Sequence, residues 1–383
     1  MKKRVLFIIP SFGVGGTTVS VKNLLLLLDK QKYDVTILAM SDKGPLEYLY
    51  EDIKQIRPSF TLKSLSVVSW REQKGLFRKL LCGFIRYVAR VGKIKNMLFT
   101  LAARMIPLLN TYDVIVACQE GLCTYFTSTI KAKRKVAWVR CDYERYVKEL
   151  GCREDDIYAS FERIVCVSDI IFKKFISIYP LLTDKTLSIN NPQSVQFIID
   201  QAERQEDDEN FSTDLFTIVS VGRFDPIKRF EQIPQIAHNL ESMGINFRWY
   251  IIGGGSEAIR CSILKNIEQY HLEEKVVLLG IKQNPHYYIK QSDLLVVLSS
   301  SEACPRVVNE AKILHVPVVC ADFDTAKEYI TSGKDGIIST IEGMTDAIVS
   351  MIKNKKAYQD IKNTIKQFQF NNEALIDKIN GIL

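Results

Sequence analysis

Short apolar runs alternate with longer amphipathic stretches along the whole chain, the pattern of buried strands interleaved with helices in an α/β protein with parallel sheets. In the first half, Val5–Ile9, Val35–Ala39, Val114–Ala117, Lys135–Val139 and Ile164–Val167 read as strands, and Val19–Leu28 as a helix between the first two. The second half restarts with Phe216–Val221, Arg248–Ile252, Val276–Leu279, Leu294–Leu298 and Val316–Cys320. Helices are expected after Phe230, Ser256, Pro305 and Thr325. Between the halves, Ile189-Asn190-Asn191-Pro192 marks a boundary, because proline disfavours helix in the residue before it and the acidic segment Gln201–Thr213 follows. The pattern predicts two doubly wound, Rossmann-like domains facing each other across a cleft, residues 1–191 and 192–355. A terminal helix over 356–383, with no strand left to serve, is expected to return to the first domain.

Length agrees with two domains, since 383 residues exceed one ordinary core. No apolar run approaches the roughly 18 residues that span a bilayer, and the longest leucine run is the five of Leu24–Leu28. The opening MKKRVLFIIP resembles a secretory signal, but its apolar part stops at Pro10 and reads as a first strand. Nine cysteines without a C-x-x-C pair, several inside apolar runs (Cys118, Cys166, Cys320), fit a reducing compartment and no metal site. The four histidines are not at i, i+4 spacing, and Asp322-Phe323-Asp324 reads as an ordinary loop.

Charge is concentrated. The chain carries a formal +7, and Trp70–Tyr112 alone sets nine cations (Arg71, Lys74, Arg78, Lys79, Arg86, Arg90, Lys93, Lys95, Arg104) against Glu72, a net +8. Apolar Leu76, Phe77, Leu80, Leu81, Phe84, Ile85, Tyr87 and Val88 recur there at helical spacing. Two readings stay open: a basic amphipathic helix that meets anionic lipid, or a solvated helix packed on its own domain. No nucleic-acid-binding module is present in the pattern.

Three segments carry candidate chemistry, each after a strand, where open α/β sheets bind ligands. Glu302 and Glu310 bracket a predicted helix start and reach different parts of an elongated ligand, while helix-start amides favour phosphate. Gly222-Arg223-Phe224-Asp225-Pro226-Ile227-Lys228 offers two cations five residues apart, able to clamp a diphosphate. Phe12-Gly13-Val14-Gly15-Gly16-Thr17-Thr18 lacks the full dinucleotide spacing, and no acid ends the next strand. A glycine loop approaching a phosphate or sugar is expected in place of a nicotinamide site.

With these segments placed, nearly the whole chain resembles the bacterial glycosyltransferase family 4 proteins of GT-B fold that build surface polysaccharides. The resemblance is carried by Gly15-Gly16, KVAWVRCDY, RIVCVSDIIFKKF, Asn191-Pro192, VGRFDPIKR, WYIIGGGSE, VVLLG, SDLLVVLSSSEACPRVVNEA and SGKDGII. It implies Glu310 on the ribose hydroxyls, Glu302 beside the transferred sugar, and Arg223 and Lys228 on the diphosphate. Backbone amides of Cys304, Arg306 and Val307 would touch sugar and phosphate, and Gly15, Gly16 and Gly253 would line the donor. The implied activity is retaining, metal-independent and cofactor-free transfer from a nucleotide diphosphate sugar, with UDP as the nucleotide, to a lipid-linked or saccharide acceptor. Cysteine usage and the basic stretch Trp70–Tyr112 lead to the expectation of a cytoplasmic protein at the inner face of the membrane.

Two positions depart from the family. Thr18 stands where glutamate is frequent, and Arg140 where a histidine usually meets the sugar. Arginine cannot act as a base, but it can pair with a phosphate or acidic sugar. These departures keep alive a non-catalytic, nucleotide-sugar-binding accessory subunit, and an epimerase of the same fold is a second rival.

Overall fold

Every apolar run of the sequence reading becomes a strand in one of two all-parallel sheets. The computed structural model describes residues 2–13, 15–41, 44–66, 76–88, 92–151 and 154–383. Trp70, Arg71, Glu72, Lys74 and Arg90 of the basic stretch lie outside the described residues. β1 (Lys3–Ile9), β2 (Tyr33–Ala39), β3 (Lys54–Ile56), β4 (Val114–Ala117), β5 (Arg134–Val139), β6 (Arg163–Cys166) and β7 (Thr186–Ser188) pair in the order 3-2-1-4-5-6-7. β8 (Phe216–Val221), β9 (Phe247–Ile252), β10 (Val276–Gly280), β11 (Leu294–Val297), β12 (Val318–Ala321) and β13 (Ile337–Ser339) pair in the order 10-9-8-11-12-13. Both sheets therefore reverse direction beside their first strand, at β1/β4 and at β8/β11, and ligands of such sheets bind outside the strand ends at this reversal.

The chain falls into two units, Met1–Pro192 with Asn372–Leu383 and Gln193–Asn371. Strands buried on both faces have no polar alternation: Val5 to Ile9 are all fully buried, as are Leu294 and Leu295. In the second unit, one side of the sheet packs Ile218, Phe247, Trp249 and Ile251 among helices, and the other packs Val219, Tyr250, Leu295 and Val318. Buried polar groups are satisfied across strands. Trp249 Nε1–H donates to Ser220 Oγ at 3.1 Å, and Ser220 donates on to the Val296 carbonyl at 2.7 Å, linking β9, β8 and β11.

Helices occupy the expected places: Ile233–Ser242 after Phe230, Glu257–Gln269 after Ser256, Arg306–Ile313 after Pro305 and Ala326–Tyr329 after Thr325. In the first unit, α1 (Gly16–Leu27) follows β1, and α2 (Phe60–Leu65), α3 (Leu76–Val88) and α4 (Gly92–Arg104) lie between β3 and β4. Where the sequence reading has one terminal helix over 356–383, the chain forms two, Lys355–Lys366 and Glu373–Ile382. Between them, Phe368 and Phe370 turn onto the core of the second unit, and this packing outweighs helical continuity. The helix Lys355–Lys366 packs on Met344–Lys353 of the second unit. The last helix belongs to the first unit, where Asn380 Oδ1 accepts from the Tyr33 hydroxyl at 3.1 Å.

The pairing of β8 with β9 continues beyond both strands through glycine. Gly222 N–H donates to the Ile252 carbonyl, Phe224 N–H to the Gly254 carbonyl and Ser256 N–H to the Phe224 carbonyl, each at 2.9 Å. Gly253 has φ +145°, and a Cβ there would sit 1.7 Å from the Gly222 carbonyl oxygen. Only glycine fits. Gly253→Ala should lose about 1–3 kcal/mol from the backbone conformation alone, with the clash adding to it. Urea unfolding of the variant should show that drop in midpoint, and an unchanged midpoint would mean the loop is held by something else.

Candidate functional site

The reversal point of the second sheet gathers most of the predicted donor residues. The loop after β8 carries Arg223 and Lys228, and the loop after the neighbouring β11 carries Ser299 to Glu302. The loops are tied together, since Ser300 N–H donates to the Ile227 carbonyl at 2.8 Å, and the first loop is held in shape where Asp225 accepts from Ile227 N–H at 3.0 Å. Lys228 Nζ forms an ion pair with Glu302 Oε1, and Ser299 Oγ donates to the same oxygen at 2.7 Å. The Glu302 backbone is fixed from the other side, where Thr325 Oγ1 donates to its carbonyl at 2.7 Å. Arg223 is different: its side chain is 59% exposed, with Asp225 at 3.9 Å. One cation is thus held in place beside a carboxylate while the other reaches into solvent.

Eight residues beyond Glu302, Glu310 is almost completely buried on the helix Arg306–Ile313. Arg306 lies 3.0 Å from one carboxylate oxygen, and His286 Nε2 lies 3.7 Å from the other. Burial pushes this carboxyl upward, but the Arg306 guanidinium and His286 outweigh it and hold the group at about 2. The sequence reading of the histidines excluded zinc and left His286 without a role. Its approach to Glu310 comes from the packing of the short helix Pro285–Lys290 against the helix Arg306–Ile313, which no local pattern announces.

The backbone positions differ among themselves. Pro305 precedes the helix with no side-chain cap, so the helix start is open. Arg306 N–H donates to the Cys304 carbonyl at 2.9 Å and therefore already has an acceptor inside the turn. Cys304 and Val307 are partly exposed at the same helix start. Gly253 meets the Gly222 backbone, so its requirement for glycine arises within the protein.

In the first unit, the loop after β1 also sits at the reversal of its sheet. Gly15 and Gly16 have open space where a Cβ would be, and α1 begins with neither a side-chain cap nor an acid in its first turn. Thr17 Oγ1 donates to Gln119 Oε1 at 3.0 Å, joining the loops after β1 and β4. Thr18 is buried and folds back: its hydroxyl reaches the carbonyls of Gly13 at 3.0 Å and Ser11 at 3.2 Å, and the Tyr50 hydroxyl donates to its own carbonyl. It shapes the glycine loop from within.

Arg140 directly follows β5 and ties it to two segments, the loop after β4 and Asn191. Its Nε donates to the Cys118 carbonyl at 2.7 Å, its Nη1 to Asn191 Oδ1, and its backbone N–H to Glu120 Oε2 at 2.8 Å. Burial raises the Glu120 carboxyl above its ordinary range, although the Arg140 N–H bond pulls the other way. Glu120 and Asn191 thus join Arg140 at the carboxyl edge of the first sheet. The sequence reading quoted Asn191 only as a boundary residue.

Residues 201–368 match the family model described as Glycosyl transferases group 1. The match lies within the second unit, Gln193–Asn371, and covers less than half of the chain. A relative is the N-acetyl-alpha-D-glucosaminyl L-malate synthase of Bacillus anthracis, 22% identical over 171 residues, 43% of this chain and 44% of that protein. Another is the amylovoran biosynthesis glycosyltransferase AmsD of Erwinia amylovora, 24% identical over 182 residues, 46% of this chain and 50% of that protein. The chain thus spans about half the length of these curated relatives. Among solved structures, Anabaena HepE in complex with UDP and glucose superposes with a TM-score of 0.74 at 15% identity, covering 98% of both chains. Staphylococcus aureus TarM, in a complex that contains UDP, superposes with a TM-score of 0.73 at 14% identity, covering 99% of both. These likenesses give the chain the GT-B fold, two Rossmann-like units in one polypeptide.

The ionised state of Glu310 has a pH signature. Its carboxyl titrates near 4.5 when free and at about 2 here, so its contribution to stability is complete above 4.5 and is lost as pH falls toward 2. Glu310→Gln should flatten the dependence of folding stability on pH across that window, as read from denaturant midpoints at several pH values. Parallel curves for the two proteins would show that Arg306 and His286 do not hold the carboxylate.

Proposed function

We propose that this chain is a retaining glycosyltransferase that moves a sugar from a nucleotide diphosphate sugar, with UDP as the nucleotide, to a saccharide or lipid-linked acceptor in surface polysaccharide assembly. The observation that carries the reading is the Lys228–Glu302–Ser299 cluster at the strand reversal of the second sheet, with buried, ionised Glu310 eight residues on. A fixed cation meets a leaving diphosphate, a fixed carboxylate meets sugar hydroxyls, and a second carboxylate accepts from a ribose. The names of the similar proteins agree: one builds amylovoran, another is a poly(ribitol-phosphate) alpha-N-acetylglucosaminyltransferase, and the HepE and TarM structures contain UDP.

In this mechanism the departing phosphate takes the acceptor proton on the face it leaves, so the protein positions and neutralises without a nucleophile of its own. Lys228 is already oriented by Glu302 before the donor arrives, and Arg223 closes on the other side of the diphosphate. Two cations meet the developing charge directly, which makes catalysis independent of a divalent ion. No cofactor takes part, and the work is done in the cytoplasm.

Arg140 favours a second reading in which the chain binds nucleotide sugar as an accessory subunit. Its guanidinium is engaged by Cys118 and Asn191 at the place where the family usually has histidine. Arg140→His separates the two. A working enzyme changes its preference across a panel of donors and acceptors, whereas a binder consumes no donor in either form.

Removing a charge contact made in the transition state costs about 10²- to 10³-fold in turnover, so Lys228→Ala and Arg223→Ala should each fall by that much in a donor-consumption assay. Losses below threefold in both would overturn the donor assignment. Excess chelator should leave turnover nearly unchanged, and abolition with rescue by manganese would move the diphosphate toward Asp322 and Asp324.

A further inference from the structure

Among the described helices, α3 turns its apolar face away from the protein. Phe77, Leu80, Leu81, Phe84 and Tyr87 recur at i, i+3, i+4, i+7 and i+10, and all five are exposed, Phe77 by 77%, Tyr87 by 68% and Phe84 by 62%. The side that meets the body is the one around Cys82, which is fully buried and whose thiol reaches the Ser64 carbonyl of α2 at 3.8 Å. A helix packed on its own domain buries its apolar stripe. This one does the reverse, so the stripe is not explained by the fold of its unit. The following α4 adds Met97 and Leu101, both exposed, and Met105 and Leu108 continue the spacing beyond it.

Charge selects the occupant. From Leu76 to Tyr112 the sequence holds seven cations and no acid, and on α3 itself Arg78 and Lys79 border the stripe while Arg86 lies behind it on the Cys82 side. A second copy meeting this face about a two-fold axis would set these cations against their own equivalents. An anionic lipid surface accepts both the cations and the apolar side chains at once. The 13 residues of α3 rise about 20 Å, short of the roughly 30 Å hydrocarbon core, which fits a helix lying in the interface. We infer that the first unit docks on anionic membrane lipid through α3, with Phe77, Leu80, Leu81, Phe84 and Tyr87 entering the acyl boundary and Arg78 and Lys79 at its borders meeting the headgroups.

Sedimentation of the full chain with vesicles tests this without any sugar substrate. Phosphatidylcholine–phosphatidylglycerol vesicles should carry the protein down at low salt and phosphatidylcholine vesicles should not, with salt weakening the anionic binding. Phe84→Trp should give a blue-shifted emission that brominated acyl chains quench on anionic vesicles. Phe77→Ser and Phe84→Ser should each weaken partitioning about tenfold or more. The double change Arg78→Gln and Lys79→Gln should weaken it about thirtyfold. These side chains are exposed, so unchanged circular dichroism and melting confirm that each variant is folded. Equal binding to both vesicle types, binding to neither at low salt, or a dimer that dissociates on Phe84→Ser while vesicle binding persists would each overturn the inference.

Discussion

The approach of Gly253 to the carbonyl of Gly222, which leaves no room for a Cβ, is the constraint on which the donor end of the molecule depends. A side chain at position 253 would drive the loops after β8 and β9 apart. Held together, they carry strand pairing three residues past the sheet and launch the turn Asp225–Lys228 in a defined direction. That direction brings Lys228 to Glu302, because β8 and β11 are neighbours at the reversal of strand order. Charge placement at the site thus follows from a contact between two atoms that bear no charge at all.

The two glutamates of the motif are stabilised by opposite means. Glu302 is partly open, and its partners Lys228 and Ser299 come from loops, so a ligand can compete for them at modest cost. Glu310 is sealed in, and a carboxylate that deep survives ionised only because Arg306 stands one helical turn away and His286 closes the other side. In the proposed mechanism this division suits a donor whose sugar end must change during reaction while its ribose end stays fixed. Binding energy taken at the invariant end can then be used to orient the reacting end.

Much of this was legible in the sequence, and the illegible parts have physical reasons. β4 and β8 coincide with their apolar runs, since fully buried strands leave no polar interruption. The three-residue strands β3, β7 and β13 escaped because so few residues carry no period. The break between the last two helices escaped as well, because Phe368 and Phe370 continue an apolar pattern yet spend it on the core of the second unit. Glu302 and Lys228 stand in loops after strands and Glu310 on the helix that follows, and each could be found one by one, but the pairing of Glu310 with His286 joins helices that only tertiary packing brings together. Thr18 and Arg140 read as departures from a family pattern, and the structure gives each a concrete set of partners within its own loop or sheet edge.

The amphipathic stretch shows the same limit from the other side. Periodicity established that Phe77, Leu80, Leu81 and Phe84 share a face, but period alone does not say whether that face looks inward. Direction is decided by which residue the body claims, and here it is Cys82, roughly opposite the stripe. Burying a phenylalanine or leucine fully is worth about 1.5–3 kcal/mol, so five such side chains left in water forgo several kcal/mol that inward packing would have supplied. At about 100° per residue, Arg78 and Arg86 stand about 40° from Cys82 and Lys79 about 60°, so the cations share the side of the helix around Cys82 and the apolar stripe takes the other. The stretch Leu76–Tyr112 carries no acid of its own, and an anionic surface complements both its charge and its outward apolar stripe.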